Sequence, residues 1–495
     1  DGSCWKRRSG PNAASLYEAQ QILHLILPQL ALALRWDTTP CHSSPLGLER
    51  AVSASSGEGA GASAGQGESD CGPLLGFLRQ YALMTKQADF VSELYWALVC
   101  LSHEEEAAIS KNKRATQEVP RPYRAARLAL LRSLRCGSWC SSLRSPREVA
   151  EQEEFLRMAR QLLQSQKELW RQKLQLLVHL GHRLPSCEEQ YVGGAMTRSR
   201  SVHLRGPLGS GAFAHRTQDL RSALLHWPEI RRKLQGTWKP DEDDPLLSDQ
   251  AVQTSSGSDS LNVGYTGRGS DATGATLDLV SPGSAFASLP IDPTLVFRGV
   301  IPEECCVMPS VHAPTLFACH MGPPMKGMRE MRSPTSGRGR ENYMLKVGDD
   351  LRQDQLMLQI MALMGCVWQD RLSRADSLML QLAKFRVLAV TPRSGYVKFV
   401  PDAVPLSEAL HQSQGDLVAW LERNRPDDMS LDRVLDNLCG SVAASSVVTY
   451  ILGIGDRHLE NLCVTRRGQF FHIDFSFVLG DDPKPCAPAA RLPQQ

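Results

Sequence analysis

Neither sign of charge dominates this sequence. Its 55 lysines and arginines face 53 aspartates and glutamates, a formal net charge of +2 over 495 residues. No basic domain stands out, and that balance argues against a nucleic-acid partner. Long hydrophobic runs are missing near the start as well. The most apolar stretch there, Ile22 to Leu34, is interrupted by His24, Pro28 and Gln29, whereas a spanning helix needs about 20 apolar residues. Any membrane association is therefore expected to be peripheral. There is no secretory signal, and the 14 cysteines are scattered, a pattern that fits reduced thiols in a cytosolic protein. Cys136 and Cys140 lie four apart and Cys305 and Cys306 are adjacent. Neither pair has a second one at metal-ligand spacing, so a zinc centre is not expected.

What is present points to a globular, multidomain chain. Hydrophobic residues make up 42%, while 38 glycines and 30 prolines announce sizeable unstructured parts. The length suggests roughly two or three domains. The chain opens on Asp1, and Arg491-Leu-Pro-Gln-Gln495 carries no helix-stop or cap signal. Both ends read as cut.

The first third reads as all-helical. Helices are predicted over 15–36, 73–101, 121–135 and 146–181, with a Ser/Gly/Ala-rich disordered loop near 38–72. In the last helix, Phe155, Leu156, Leu162, Leu163, Leu169, Leu174, Leu176 and Leu177 are the buried candidates. From 183 to 290 the texture is that of a low-complexity linker or insertion, with disorder expected over 248–275. One amphipathic segment, Gln218–Leu234, reads as a helix within it. Its basic positions Arg221, Arg231, Arg232 and Lys233 form a solvated face or, alternatively, a lipid contact. Gly206 to Phe213 looks like a phosphate loop but follows no strand and has no lysine at useful spacing, so it is read as linker. Thr197–Ser201 reads as a phosphorylation pattern, of a kind that also arises by chance in Ser-rich linkers. From 291 the chain becomes α+β, with strands at Tyr343–Val347, Arg386–Val390 and Tyr396–Val400 and helices near 351–369, 407–424 and 431–451.

The chemistry concentrates in 343–482. Lys346 lies on the strand Tyr343-Met-Leu-Lys-Val347, followed by Gly348-Asp-Asp350 and a helix that opens with Asp354 in its first turn. Asp349 or Asp350 is the natural N-cap of that helix. A strand lysine followed by a helix acid suits the holding of nucleotide phosphates, because the acid fixes the ammonium and the ammonium neutralises phosphate charge. Further on, Gly453-Ile-Gly-Asp-Arg-His-Leu-Glu-Asn461 packs an acid, a base and an amide together after an apolar helix. Leu462–Thr465, a turn at Arg466–Gly468 and Phe470–Asp474 read as a β-hairpin. With the turn centred between Arg467 and Gly468, paired residues sum to 935, and Asn461 falls opposite Asp474. Cross-strand partners lie roughly 5 Å apart, so one amide oxygen and one carboxylate could share a divalent cation. A polar hairpin end with incidental Asn and Asp is the bland alternative.

Gly348-Asp-Asp-Leu-Arg-Gln-Asp-Gln355, Tyr450 to Asn461 and His472-Ile-Asp-Phe475 resemble the phosphatidylinositol 3-/4-kinases. Gly480-Asp-Asp-Pro-Lys-Pro485, Ile301-Pro-Glu-Glu304 and Leu94-Tyr-Trp-Ala-Leu98 look most like the class III, vacuolar-sorting type. The resemblance covers 15–182 and 291–495. It implies a helical accessory domain followed by a bilobal, protein-kinase-like lipid kinase domain whose C-lobe is incomplete at 495. It further implies ATP and Mg²⁺ (or Mn²⁺), with Lys346 on the ATP phosphates and Asp354 positioning it. Ser310 falls in the phosphate-binding loop, and Phe399 and Val400 fall in the hinge that holds adenine. Asp456 and His458 belong to the catalytic loop, with His458 the candidate general base; alternatively His458 orders the loop and Asp456 takes the proton. Asn461 and Asp474 would ligate the metal, while His472 would be structural.

Three departures stand out. Ser476 replaces the glycine of Asp-Phe-Gly, at a cost of about 1 kcal/mol if that position needs positive φ. Phe385 replaces a tyrosine whose hydroxyl would reach the metal-site acids. The chain stops within or just after the activation segment. The implied activity is phosphorylation of the 3-hydroxyl of phosphatidylinositol at endosomal and autophagic membranes. A kinase-like regulatory subunit and a coiled-coil adaptor are the implied partners. A 4-kinase, or a kinase-fold scaffold with weak turnover, is the alternative.

Overall fold

The computed structural model describes residues 23–37, 73–111, 121–136, 145–181, 210–234, 287–310, 312–324, 339–374, 380–383 and 385–484. The 38–72 loop, Thr197–Ser201, the 248–275 stretch and Arg491 lie outside them.

Helices come first: α1 (Leu27–Asp37), α2 (Pro73–Thr85), α3 (Ala88–Lys111), α4 (Pro122–Cys136) and α5 (Pro146–His179). α5 opens with a capping box. The Ser145 hydroxyl accepts the Glu148 N–H, the Glu148 carboxylate accepts the Ser145 N–H, and Pro146 fills the first turn. The helix expected over 73–101 is two helices. Lys86 adopts φ 55 and the Gln87 N–H returns to the Ala82 carbonyl, which ends α2. Both pieces bury their apolar faces in the same core, so periodicity runs on across the break.

The 183–290 stretch is not linker throughout. α6 (Ser210–Leu225) and α7 (Trp227–Leu234) lie within it, and α6 begins eight residues before Gln218, so the glycine-rich run leads into a helix. Leu220, Leu224 and Trp227 are buried. The basic positions are partly internal ties: Arg221 donates to the Cys305 carbonyl (2.9 Å) and Arg231 pairs with Glu168 (2.9 Å).

Strands follow: β1 (Leu295–Val300), β2 (Cys306–Val307), β3 (Thr315–Pro324), β4 (Arg340–Val347), β5 (Val387–Thr391) and β6 (Ser394–Lys398). They form a 6-stranded antiparallel sheet in the order β1-β3-β4-β6-β5, with β2 on β3. α8 (Arg352–Arg371) connects β4 to β5. Beyond it come β7 (Ala403–Pro405), α9 (Leu406–Gln412), α10 (Leu417–Asn424), α11 (Leu431–Leu452), β8 (Leu462–Thr465) and β9 (Phe470–His472). The helix expected over 407–424 is divided at Gln414 (φ 56) and Gly415, and the Asp416 carboxylate caps α10. β7, β8 and β9 make a 3-stranded sheet. By length and composition α11 could cross a membrane, yet Val434, Ala444, Val448 and Leu452 are buried along it. Cys305 and Cys306 are both free thiols.

Helices and large sheet share one core running from Leu27 to Tyr396. Polar ties cross it. Gln166 of α5 accepts from Ser92 (2.7 Å) and Trp96 (2.8 Å) and donates to Ser288 (3.0 Å). Lys173 brings its ammonium 4.7 Å from the Tyr396 ring and 5.1 Å from that of Phe317, and burial pushes its pKa down to about 8. Glu93 of α3 accepts from Arg386, just before β5, at 2.5 Å and from His24 at 3.1 Å.

That ion cluster sets a pH dependence. Burial would lower the His24 pKa, but Glu93 raises it to about 9. The stability it contributes is present in full below its ordinary 6.5 and is lost as pH rises through about 9. Burial would raise Glu93, but Arg386 and His24 hold it at about 2, so its contribution persists above its ordinary 4.5 and vanishes only near that low value. The thermal midpoint should therefore decline from pH 7 to 9.5, and His24→Gln should remove that slope; an unchanged slope would refute the assignment. Glu93→Ala should destabilise by about 3–5 kcal/mol by stranding Arg386.

Candidate active site

β4 delivers Lys346 to the sheet's end, and the chain then turns through Gly348 into α8. The Lys346 ammonium donates to Asp349 (3.1 Å), not directly to Asp354. Asp354 instead accepts the Phe475 N–H at 3.2 Å and acts on the lysine through space. Neither Asp349 nor Asp350 is the N-cap. Leu351 occupies that place without a side-chain bond, while Asp350 accepts the Arg352 N–H (3.1 Å). Asp349, seen in sequence only as a cap candidate, is thus the lysine's direct partner.

These charges are strongly coupled. Burial opposes the Lys346 charge, but Asp349, Asp474 and Asp354 together raise its pKa and keep it cationic. Burial, then the repulsion of Asp474 and Asp349, pushes Asp354 up to about 6 despite Lys346. Asp474 is lowered, because Lys346, the bonds from Ser476 and the Arg457 charge outweigh its burial.

The hairpin register differs from expectation by one residue. Leu462 pairs with His472 and Val464 with Phe470, so Asn461 is not opposite Asp474; its carbonyl takes the Ile473 N–H (3.0 Å). The cause is a three-residue loop. The Thr465 N–H reaches the Gln469 carbonyl (2.9 Å), and Gly468 takes the left-handed conformation (φ 81) that such a loop requires. A Cβ there would lie 2.0 Å from the Val434 carbonyl. Asp474 then leaves strand geometry altogether, with φ 59.

Arg457 draws the two loops together. Its guanidinium donates to the carbonyls of Gly455 (2.5 Å), Ile473 (3.0 Å) and Asp474 (2.6 Å). The sequence showed it only as the middle of Asp-Arg-His. Asn461 donates its amide to the Asp456 carbonyl (3.0 Å), and Asp482 accepts the Asp456 N–H (3.0 Å). His458 accepts the Glu460 N–H at Nδ1 (3.3 Å), which leaves its proton on Nε2, 3.8 Å from the Asp456 carboxylate. His472 is a half-buried neighbour. Burial and the Arg457 charge push its pKa down to about 3, and it stacks edgewise on Phe470.

Ser476 is not in the left-handed region, so the conditional strain penalty does not arise; the positive φ belongs to Asp474. The Ser476 hydroxyl donates to Asp474 at 2.6 Å. Phe385 packs on Phe471, ring centroids 5.8 Å apart. Ser310 is exposed in the turn whose His312 lies 3.1 Å from where a Gly348 Cβ would stand, which puts that turn beside the Lys346 loop. Phe399 and Val400 follow β6. The Phe399 N–H is taken by the Asn342 carbonyl (2.9 Å), and the Val400 carbonyl accepts from Ala403 (3.3 Å). Lys398, next to them, is anchored to Asp292 at 2.5 Å.

Residues 341–495 match the family model described as phosphatidylinositol 3- and 4-kinase. The phosphatidylinositol 3-kinase pik3 of Schizosaccharomyces pombe is 39% identical over 216 residues, 42% of this chain and 24% of that protein. The phosphatidylinositol 3-kinase VPS34 of Saccharomyces cerevisiae is 37% identical over 214 residues, 42% of this chain and 22% of its own length. VPS34 of Arabidopsis thaliana is 36% identical over 207 residues, covering 41% and 23%. The chain spans about a quarter of the length of these curated relatives.

Arg457→Met should strand the three carbonyls and cost about 1–3 kcal/mol, with Arg457→Lys recovering part of it. Chemical denaturation measures this. Wild-type stability in Arg457→Met would mean that the clamp holds nothing.

Proposed function

We propose that this chain, which carries a phosphatidylinositol 3- and 4-kinase domain at 341–495, transfers the γ-phosphoryl of ATP to the 3-hydroxyl of phosphatidylinositol. The observation that carries the reading is the convergence on Lys346: one half-buried ammonium held charged by Asp349, Asp474 and Asp354, beside a loop that Arg457 ties to the proposed catalytic segment. Such an ammonium suits the α- and β-phosphates, with Ser310 in the turn above. Adenine would use the groups the hinge leaves over, the Phe399 carbonyl and the Val400 N–H.

The donor set fits Mg²⁺ or Mn²⁺. Asn461 has its amide nitrogen committed to Asp456, which directs the amide oxygen elsewhere, and Ser476 engages one oxygen of Asp474, leaving the other. Hard oxygen donors of this kind suit either ion, which when bound neutralises charge on the transferring phosphoryl group. The acceptor hydroxyl's proton goes to the Asp456–His458 pair. Because the Glu460 N–H occupies Nδ1 of His458, Asp456 is favoured as the first acceptor, with His458 ordering the loop.

The helices at the start would be the accessory domain of a bilobal enzyme, acting in the cytoplasm and peripherally on endosomal and autophagosomal membranes. A kinase-like regulatory subunit and a coiled-coil adaptor are proposed on resemblance. The relatives' names as phosphatidylinositol 3-kinases favour the 3- over the 4-position.

Asp474→Asn should lower phosphoryl transfer by roughly 10²-fold or more without unfolding the chain; wild-type turnover would defeat the assignment. Substrate choice gives a second test. Head-group phosphates at the 4- and 5-positions each bring about −1.5 to −2 charges that need cationic partners. After Asp474 the described segment offers only Lys484, and Asp482 is already engaged by the Asp456 and Lys484 N–H groups. Vesicle assays should show phosphorylation of phosphatidylinositol and little or none of the 4,5-bisphosphate. Comparable rates on both lipids would sink the class III reading.

A further inference from the structure

Ser476 stands where the kinase family usually has glycine, and the structure gives its side chain a definite task. The Ser476 hydroxyl donates to Oδ1 of Asp474 at 2.6 Å, and the Ser476 N–H donates to the same oxygen at 3.3 Å. Apart from the through-space attraction of Lys346 and Arg457, the other contacts around Asp474 fix backbone. Arg457 holds the Ile473 and Asp474 carbonyls at 3.0 and 2.6 Å, and Gln353 donates to the Phe475 and Ser476 carbonyls at 2.7 and 3.1 Å. Phe475 between them is 1% exposed. With that backbone pinned in a left-handed turn, rotation of the carboxylate about its own side-chain bonds is the freedom left, and the hydroxyl removes it.

We propose that Ser476 is a positioning residue that presents Asp474 to a divalent cation through one oxygen. Two donors converge on Oδ1, so Oδ2 is the oxygen directed at the metal, and Asp474 is a one-oxygen ligand. A glycine at 476 could supply the N–H alone. A bond from a hydroxyl to a charged acceptor is among the stronger ones proteins make, and here it orders a ligand before the ion arrives. The serine is therefore a gain in pre-organisation, not a defect in the loop. The proposal rests on the kinase reading, and the test separates the two.

The experiment is a Mn²⁺ titration of the full chain, followed by electron paramagnetic resonance, with a non-hydrolysable ATP analogue at saturation. Ser476→Ala should raise the Mn²⁺ dissociation constant about tenfold, the loss of one charge-assisted hydrogen bond. Affinity for the analogue without metal should stay unchanged, as should the thermal midpoint, because Ser476 is exposed. Ser476→Thr, which keeps the hydroxyl, should restore Mn²⁺ affinity. If Ser476→Ala binds Mn²⁺ as tightly as wild type, or Thr fails to rescue, the positioning role is wrong and the kinase reading stands. If the wild-type chain takes up neither the analogue nor Mn²⁺, the kinase reading falls and the proposal with it.

Discussion

The ammonium of Lys346 lies in the field of Asp349, Asp474 and Asp354, and the loops around it are arranged by that attraction. Take the charge away and three carboxylates repel one another in a half-buried cluster. Asp354, already near 6, would be the first to protonate. The lysine is therefore structural, whatever part it takes in the proposed chemistry. Asp349 in the turn and Asp474 just past the hairpin come from segments more than a hundred residues apart, and both are drawn to the same cation. In the proposed reading a polyphosphate competes with them for it, loosening one set of contacts as it forms another.

The helical segment reaches this site both directly, through the Glu104–Arg352 pair (2.7 Å) at the start of α8, and through the sheet. Arg386 enters β5 while held by Glu93 of α3, and the Arg386 carbonyl in turn takes the Lys398 N–H beside the hinge (2.8 Å). A path of one ion pair and one backbone bond thus connects the first helices to the place proposed for adenine. Lys173 and Gln166 reinforce the same junction from α5. The two parts were distinguishable in sequence by texture, yet they fold around a common core.

How much of this was legible in the residues depends on the kind of force involved. Lys346 on a strand, the long capped helix from Pro146 and the hairpin around Gly468 are local patterns, and the sequence carries them openly. The hairpin register was missed by one because a two-residue and a three-residue loop read alike until Gly468 is seen in its left-handed conformation. The break at Lys86 was hidden because the helices on either side share an apolar face. The helix read over Gln218–Leu234 is α7 and the second half of α6; only the start of α6 was hidden, by the glycine- and serine-rich run that leads into it. Choosing Asp349 over Asp354 as the lysine's partner, or giving Arg457 three carbonyls, needs tertiary geometry that no spacing rule supplies.

The loop that follows α11 shows what tight clearance does. α11 ends at Gly453 (φ 53), where a Cβ would stand 2.5 Å from the Gly480 nitrogen, and at Gly455 one would stand 2.3 Å from the Asp481 carbonyl. The later segment rests directly on the backbone of the earlier one, with no room for a methyl group between them. A saturation mutagenesis screen would therefore score these two glycines as harshly as the acid beside them. Their intolerance would measure the gap between two strands of chain, and anyone ranking residues by phenotype alone would mistake a spacer for a reagent.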